Sequence, residues 1–411
     1  MKPTETPTPT PTPMPAQPAP PTAPAPSAAE AAVLAKASNS FGLDLWARLR
    51  TAPGNLAISP ASISTALAMT WGGAKGETAA EMKQSMRLPL DADAAVTAWG
   101  KLGGALQAPS RALKLRIANR LFGEQSYKFE APYLEKTKAA YGAPLEPIDF
   151  MKAPDPARAH INQWVADQTE QRIKDLLPPR SILSDTRLVL VNAIYFLADW
   201  QDPFERASTS EQPFSLAPGK TTPAMLMRRR GNYWMAKADG AAVLELPYAG
   251  GDTSMLVVLP DKVDGLAAVE KSLDAGKVAA WLAALAPQEV LVWLPRFVID
   301  PPEALELAKP LKALGMTRAF DRERADFTGI ANPPKPADRL YIGKVFHKAF
   351  VKVDEKGTEA AAATAVVMPK AGAAPRPVPE LKADHPFLFF IVDKASGLVL
   401  FMGRVAEPKA P

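Results

Sequence analysis

The 411-residue chain contains no cysteine, which removes disulfide frameworks, thiolate zinc sites, iron–sulfur clusters and cysteine nucleophiles together. Histidine is scarce. His160, His347 and His385 are the three, without H-E-x-x-H or any paired spacing, which argues against a metal cofactor. Long apolar runs are missing as well. The longest candidate, Leu188–Leu197, contains Asn192 and soon meets Asp199, far short of the roughly 18 residues that mark a membrane span. There is no phosphate loop, no G-x-G-x-x-G and no G-x-S-x-G, so neither an enzyme nor an organic cofactor is expected. Charge of one sign is not concentrated either: 48 Lys and Arg stand against 43 Asp and Glu. The tight basic run Arg228–Arg230 meets no aromatic until Tyr233 and Trp234, so a solvated face fits it better than a nucleic-acid partner.

What the chain has in excess is proline, 43 residues, of which eleven fall in residues 1–27. There Pro alternates with Thr and Ala, a composition too poor in large apolar side chains to offset ordering entropy. Residues 1–27 are therefore expected to form a disordered tail, and residues 28–408 one folded domain. No secretory h-region precedes the tail. Such a tail often follows a removed signal or lipid anchor, so an extracellular or periplasmic protein is expected, with a cytoplasmic one as the alternative.

Helix signals dominate the first 175 residues. Ser27-Ala-Ala-Glu30 is a capping box, followed by Ala37, Phe41, Leu45 and Leu49 on one helix face. Ser59-Pro60 supplies an N-cap hydroxyl and a first-turn proline for a second helix, and Thr78-Ala-Ala-Glu81 reads as the capping box of a third. Further helices are predicted near 91–107, 130–141, 156–170, 277–285 and 303–314. Strand signals follow at Leu188–Phe196, Ser254–Leu259, Val290–Ile299, Ala349–Val353, Phe387–Val392 and Leu398–Val405. Helices first and strands later, without regular alternation, give an α+β class. Between two of these strands, residues 356–380 are small and proline-rich, and a connection that long inside a compact domain is usually functional.

Several stretches resemble the serpin family. Asn55–Met69 is similar to its buried second helix, Gly73–Thr78 to the turn after it, and Leu190–Phe196 with Trp200, Pro203 and Phe204 to its central strand. Val353–Ala361 resembles the hinge of its reactive loop, and His385–Phe390 with Phe401–Arg404 its C-terminal signature. The resemblance implies three β-sheets, eight or nine helices and an exposed reactive-centre loop. It also implies a monomeric suicide-substrate inhibitor forming a covalent complex with a serine protease: the cleaved loop inserts into the central sheet and traps the acyl-enzyme. The alternative is a non-inhibitory carrier or chaperone of the same fold.

The residues bear on that mechanism independently. An inserting segment needs no proline and two alternating faces. From Thr358 to Met368 there is neither Pro nor Gly. Thr358, Ala360, Ala362, Thr364, Val366 and Met368 would face inward, with Glu359 outward. Eleven residues at roughly 3.3 Å each make a strand of about 36 Å, and Pro369 ends it. The hinge expected from the resemblance comprises Glu355, Gly357, Thr358, Glu359, Ala360, Ala361, Ala362 and Ala363. Ser59, Ser62, Asn192 and His347 correspond to the family's buried polar shutter, and Trp200, Arg296 and Glu355 to its breach, where the sheet opens; a general-base role for His347 lacks a positioned third group. The family places the attacked residue sixteen positions beyond the hinge glutamate, at Ala371. Lys370 would suit a trypsin-like pocket, Ala371 an elastase- or subtilisin-like one, and the Gly372–Ala373 bond remains a neighbouring choice. The helix near 91–107, with Asp91, Asp93 and a single Lys101, argues against a polyanion-activated site.

Overall fold

The computed structural model describes residues 25–142, 145–358 and 378–409. The first helix, Ala28–Leu49, opens on the expected capping box: the Ser27 hydroxyl accepts from the Glu30 amide at 3.2 Å and the Glu30 carboxylate from the Ser27 amide at 2.9 Å. Its Ala37, Phe41 and Leu45 are buried. Helix Pro60–Trp71 is buried on every side and begins with Ser59 accepting from the Ser62 amide at 3.1 Å. The third expected cap does not form. Helix Gly76–Ser85 starts three residues earlier, after Lys75, whose side chain makes no capping hydrogen bond. Glu81 instead accepts from the amides of Thr317 and Arg318, and Thr78 from that of Asp326, so both side chains fasten a distant segment.

Among the described residues the strands form two hydrogen-bonded sheets, one of nine strands and one of seven, where three sheets are expected. The merger comes from the 19-residue strand Lys220–Ala238. Its first part pairs with Ser210–Ala217 and its last five residues with Ala241–Pro247, while Ala286–Pro295 pairs along the middle. Buried positions change parity at Leu226–Met227, so one strand turns the corner between two faces and joins them into one sheet. The expected continuous strand over 290–299 is divided for a related reason. Pro295 is the last partner of Leu226 in the larger sheet and Phe297 the first partner of Val353 in the smaller, which leaves Arg296 at the crossing. The expected helix over 303–314 is shortened to Ala308–Ala313, because Leu305 and Glu306 pair with His347 and Phe346.

The smaller, central sheet is built on strands Leu113–Glu124, Leu188–Asp199 and Val345–Val353. Alternation along the middle strand sends Leu190, Ile194 and Phe196 into the main core, and Val189, Val191, Ala193 and Tyr195 against helix Pro154–Gln168 through Ile161, Trp164 and Val165. Burial on both faces explains its nearly unbroken apolar sequence. Asn192 lies on the main-core side, where a polar side chain needs partners. No helix among the described residues is long and apolar enough to cross a membrane.

Candidate functional site: the hinge and the polar row beneath it

Strands Leu188–Asp199 and Val345–Val353 run parallel and pair directly from Leu190↔Val345 to Tyr195↔Phe350. Above that point they part. The chain reverses at Asp354–Lys356, with the Asp354 amide donating to the Gly357 carbonyl at 2.9 Å. Gly357 and Thr358 then enter the gap, where Thr358 stands opposite Val353 on one side and Ala198 on the other. The central sheet is thus closed along six residue pairs and wedged open at one end by the first two residues of the hinge.

The wedge is held by polar contacts on every side. The Trp200 amide donates to the Lys356 carbonyl at 2.6 Å and its indole N–H to the Asp354 carbonyl at 3.0 Å. Glu355, a residue 3% exposed, accepts from Arg296 Nε at 2.7 Å and from the Thr209 hydroxyl at 2.7 Å, and the second Arg296 arm reaches the same oxygen. Burial alone would raise the Glu355 pKa, but these hydrogen bonds outweigh it and hold the carboxyl below its usual range. Thr358 is fully buried, and its hydroxyl lies 2.7 Å from that of Tyr248. Trp200, Arg296 and Glu355 therefore lie together, in contact with Thr209, Asp354 and Tyr248.

Five buried polar residues line up beneath the closed part of the sheet. Asn119, Asn192 and His347 are direct cross-strand partners on three neighbouring strands. His347 Nε2 accepts from the Ser59 amide at 3.1 Å, and Nδ1 lies 2.5 Å from Asn192 Oδ1. The amide donor fixes the tautomer, since Nε2 must be bare and Nδ1 must carry the proton. Asn192 Nδ2 in turn donates to the Ser62 hydroxyl at 2.6 Å and to Asn119 Oδ1 at 2.5 Å. Burial drives the His347 pKa down to about 3, so the ring is neutral. Ser59 Oγ serves the helix start, and no nucleophile–base pair is formed between these two residues. Sequence reasoning missed Asn119 because the strand carrying it, Leu113–Glu124, interleaves Lys114, Arg116 and Arg120 with its apolar residues.

The row sits beneath the six residue pairs that join the two parallel strands. Three of its members belong to the sheet and two to the start of the helix below, so its hydrogen bonds tie the paired strands to that helix. Among the described residues no cluster of three His, Asp or Glu side chains is placed to hold a metal ion. The expected bait residues Lys370, Ala371 and Gly372, and hinge residues Glu359, Ala360, Ala361, Ala362 and Ala363, lie outside the described residues.

The strand pair is thus closed below and wedged above by Gly357 and Thr358, and comparison with known proteins gives the family. Residues 36–408 match the family model described as serpin (serine protease inhibitor). The chain belongs to the serpin family. Leukocyte elastase inhibitor from Equus caballus is 39% identical over 385 residues, covering 91% of this serpin and 99% of the relative. Serpin B6 from Pongo abelii is 39% identical over 383 residues, covering 92% and 100%. Among solved structures, uncleaved ovalbumin superposes with a TM-score of 0.81 at 32% identity, covering 91% of this serpin and all of that chain.

Proposed function

We propose that this serpin inhibits serine proteases as a suicide substrate. The observation that carries the reading is the half-open central sheet: six closed residue pairs, Leu190–Tyr195 against Val345–Phe350, surmounted by Gly357–Thr358 already inserted between the same strands. After a protease forms its acyl-enzyme within the loop, separation of those six pairs lets the segment following Thr358 continue the strand that Thr358 begins. The protease, still esterified to the moving end, is carried along and distorted before water can release it. Ser59, Ser62, Asn119, Asn192 and His347 exchange hydrogen bonds as the strands part, and the Arg296–Glu355 pair with Trp200 governs the point of entry. A carrier of the same fold has no need of a small, proline-free segment directly behind the wedge.

The bait lies within Lys370, Ala371 and Gly372. The relatives named leukocyte elastase inhibitor support Ala371, whose small side chain suits an elastase-like pocket, while Lys370 suits a trypsin-like one. Residues 28–408 act as one domain, a monomer with a covalent protease partner, without cofactor and in an extracellular or periplasmic setting, with a cytoplasmic one as the alternative. Incubation with trypsin, elastase and subtilisin, followed by denaturing gels, tests the function. A covalent band with at least one protease is expected, and mass spectrometry of the trapped complex identifies the bond attacked. Cleaved inhibitor alone with all three would overturn the reading.

A further inference from the structure

The residue that fixes where the inserting strand begins is absent from the hinge, from the polar row and from the Arg296–Glu355 pair. Tyr248 follows strand Ala241–Pro247 of the larger sheet, yet it is bound to the end of the central strand. The Gln201 amide donates to the Pro247 carbonyl at 2.9 Å and the Ala249 amide to the Asp199 carbonyl at 2.8 Å. Its ring is stacked on Trp200 with centroids 4.6 Å apart and planes 8° from parallel, and it meets the edge of Phe196 at 5.2 Å. Tyr248 is fully buried. A buried phenol needs a partner, and here it faces the Thr358 hydroxyl at 2.7 Å. Burial raises the Tyr248 pKa far above the usual phenol value, so the group stays a neutral hydroxyl that can both give and take a hydrogen bond.

We infer that Tyr248 is a positioning residue for loop insertion: its hydroxyl seats Thr358 between Val353 and Ala198 before any cleavage, and so sets the register in which the rest of the strand follows. A strand that slips by one residue turns every side chain to the opposite face, so the first inserted residue decides whether the later ones present their small side chains to the core. The two aromatic neighbours hold the phenol ring rigidly, and the hydroxyl is the part of Tyr248 that reads the position of the hinge. The kinetic consequence rests on the proposed inhibitory function; the seat itself does not.

Tyr248→Phe keeps both ring contacts and deletes the hydroxyl, leaving the Thr358 hydroxyl buried without this partner. Thr358→Val alone strands the phenol in the same way. Together the two changes replace both partners with apolar groups of similar shape, which is nearly neutral where either single change is costly. With a protease that the unaltered protein traps, Tyr248→Phe is expected to raise the number of inhibitor molecules consumed per protease trapped by about fivefold, the effect of a one-kcal/mol shift in the partition, at an unchanged rate of loop attack. Tyr248→Phe/Thr358→Val should return it close to the original. Hydrogen exchange of the uncut protein gives a readout independent of inhibition: the Thr358 amide should exchange faster in Tyr248→Phe and slow again in the double variant. Unchanged exchange in Tyr248→Phe, or a defect that Thr358→Val fails to relieve, overturns the seat. If the unaltered protein traps no protease while exchange follows the expected pattern, the seat stands and the inhibitory function falls.

Discussion

At Gly357 the hinge backbone passes so close to strand Leu188–Asp199 that a Cβ would collide with the Ala198 carbonyl and stand 2.6 Å from the Asp199 Cα. Gly357→Ala is therefore expected to push the hinge out of the sheet, seen as faster exchange at Thr358 and a higher stoichiometry of inhibition. One position further, Thr358 is enclosed by Val353, Ala198 and Tyr248. Thr358→Arg would bring an unpaired charge into that enclosure at a cost of several kcal/mol. The expected product is a protein cleaved at the ordinary rate but forming no covalent complex; trapping that survives the change would count against insertion. Asn119 offers a test of the polar row. Asn119→Ala leaves Asn192 Nδ2 one acceptor short and removes the donor to the Ser62 carbonyl at 3.4 Å. About 1–3 kcal/mol of stability should be lost, measured as a lower midpoint of thermal unfolding. Ser59, Ser62, Asn192 and His347 were singled out in the sequence by their correspondence with the family's polar cluster. Asn119 and Tyr248 were not, because each becomes meaningful only through a partner 73 or 110 residues away.

At the scale of elements, two histidines fasten different strands and titrate in opposite senses. His385, just beyond the short strand Glu380–Lys382, has Nδ1 3.0 Å from Asp384 Oδ1 and Nε2 2.7 Å from the Pro260 carbonyl. Two acceptors call for two N–H donors, the imidazolium form. Burial opposes that charge, but the hydrogen bonds to Asp384 and Pro260 prevail and raise the pKa above its ordinary 6.5. Its stabilisation is complete below pH 6.5 and disappears as the pH rises through the folded value. His347 behaves in reverse. With its pKa held at about 3 by burial, stability is present above pH 6.5 and lost as the pH falls from 6.5 toward 3, because the unfolded chain takes up the proton first. Unfolding free energy plotted against pH should therefore decline on both sides, and His385→Gln should remove the alkaline part of the decline. Elements also set the limits of sequence reading. Helix Ala28–Leu49 and strand Leu398–Val405 are marked by their own residues, whereas Lys220–Ala238 owes its length to partners on three other strands. Glu81 and Thr78 spell a capping box that tertiary partners at Thr317, Arg318 and Asp326 override.

For the whole molecule, the proposed function makes the wedge and the closed strands below it a state held short of completion. Joining the loop to the central sheet adds a strand to a surface already paired on both flanks, so cleavage in the loop should raise the midpoint of thermal unfolding; identical midpoints before and after cleavage would contradict the proposed insertion. Without cysteine, no disulfide holds the uncut form, and under the proposed mechanism its lifetime is set by a barrier rather than by an equilibrium. The order of strands adds a constraint of another kind. Leu398–Val405 lies between Leu56–Ile58 and Phe387–Asp393, with Leu56 opposite Arg404. During synthesis, which runs from the N-terminus, the larger sheet stays open at that slot until Leu398–Val405 has been made, and residues 356–380 leave the ribosome ahead of that strand. Under the proposed mechanism, reaching the poised state instead of the finished one is thus a race, won when the slot fills before the loop finds its place.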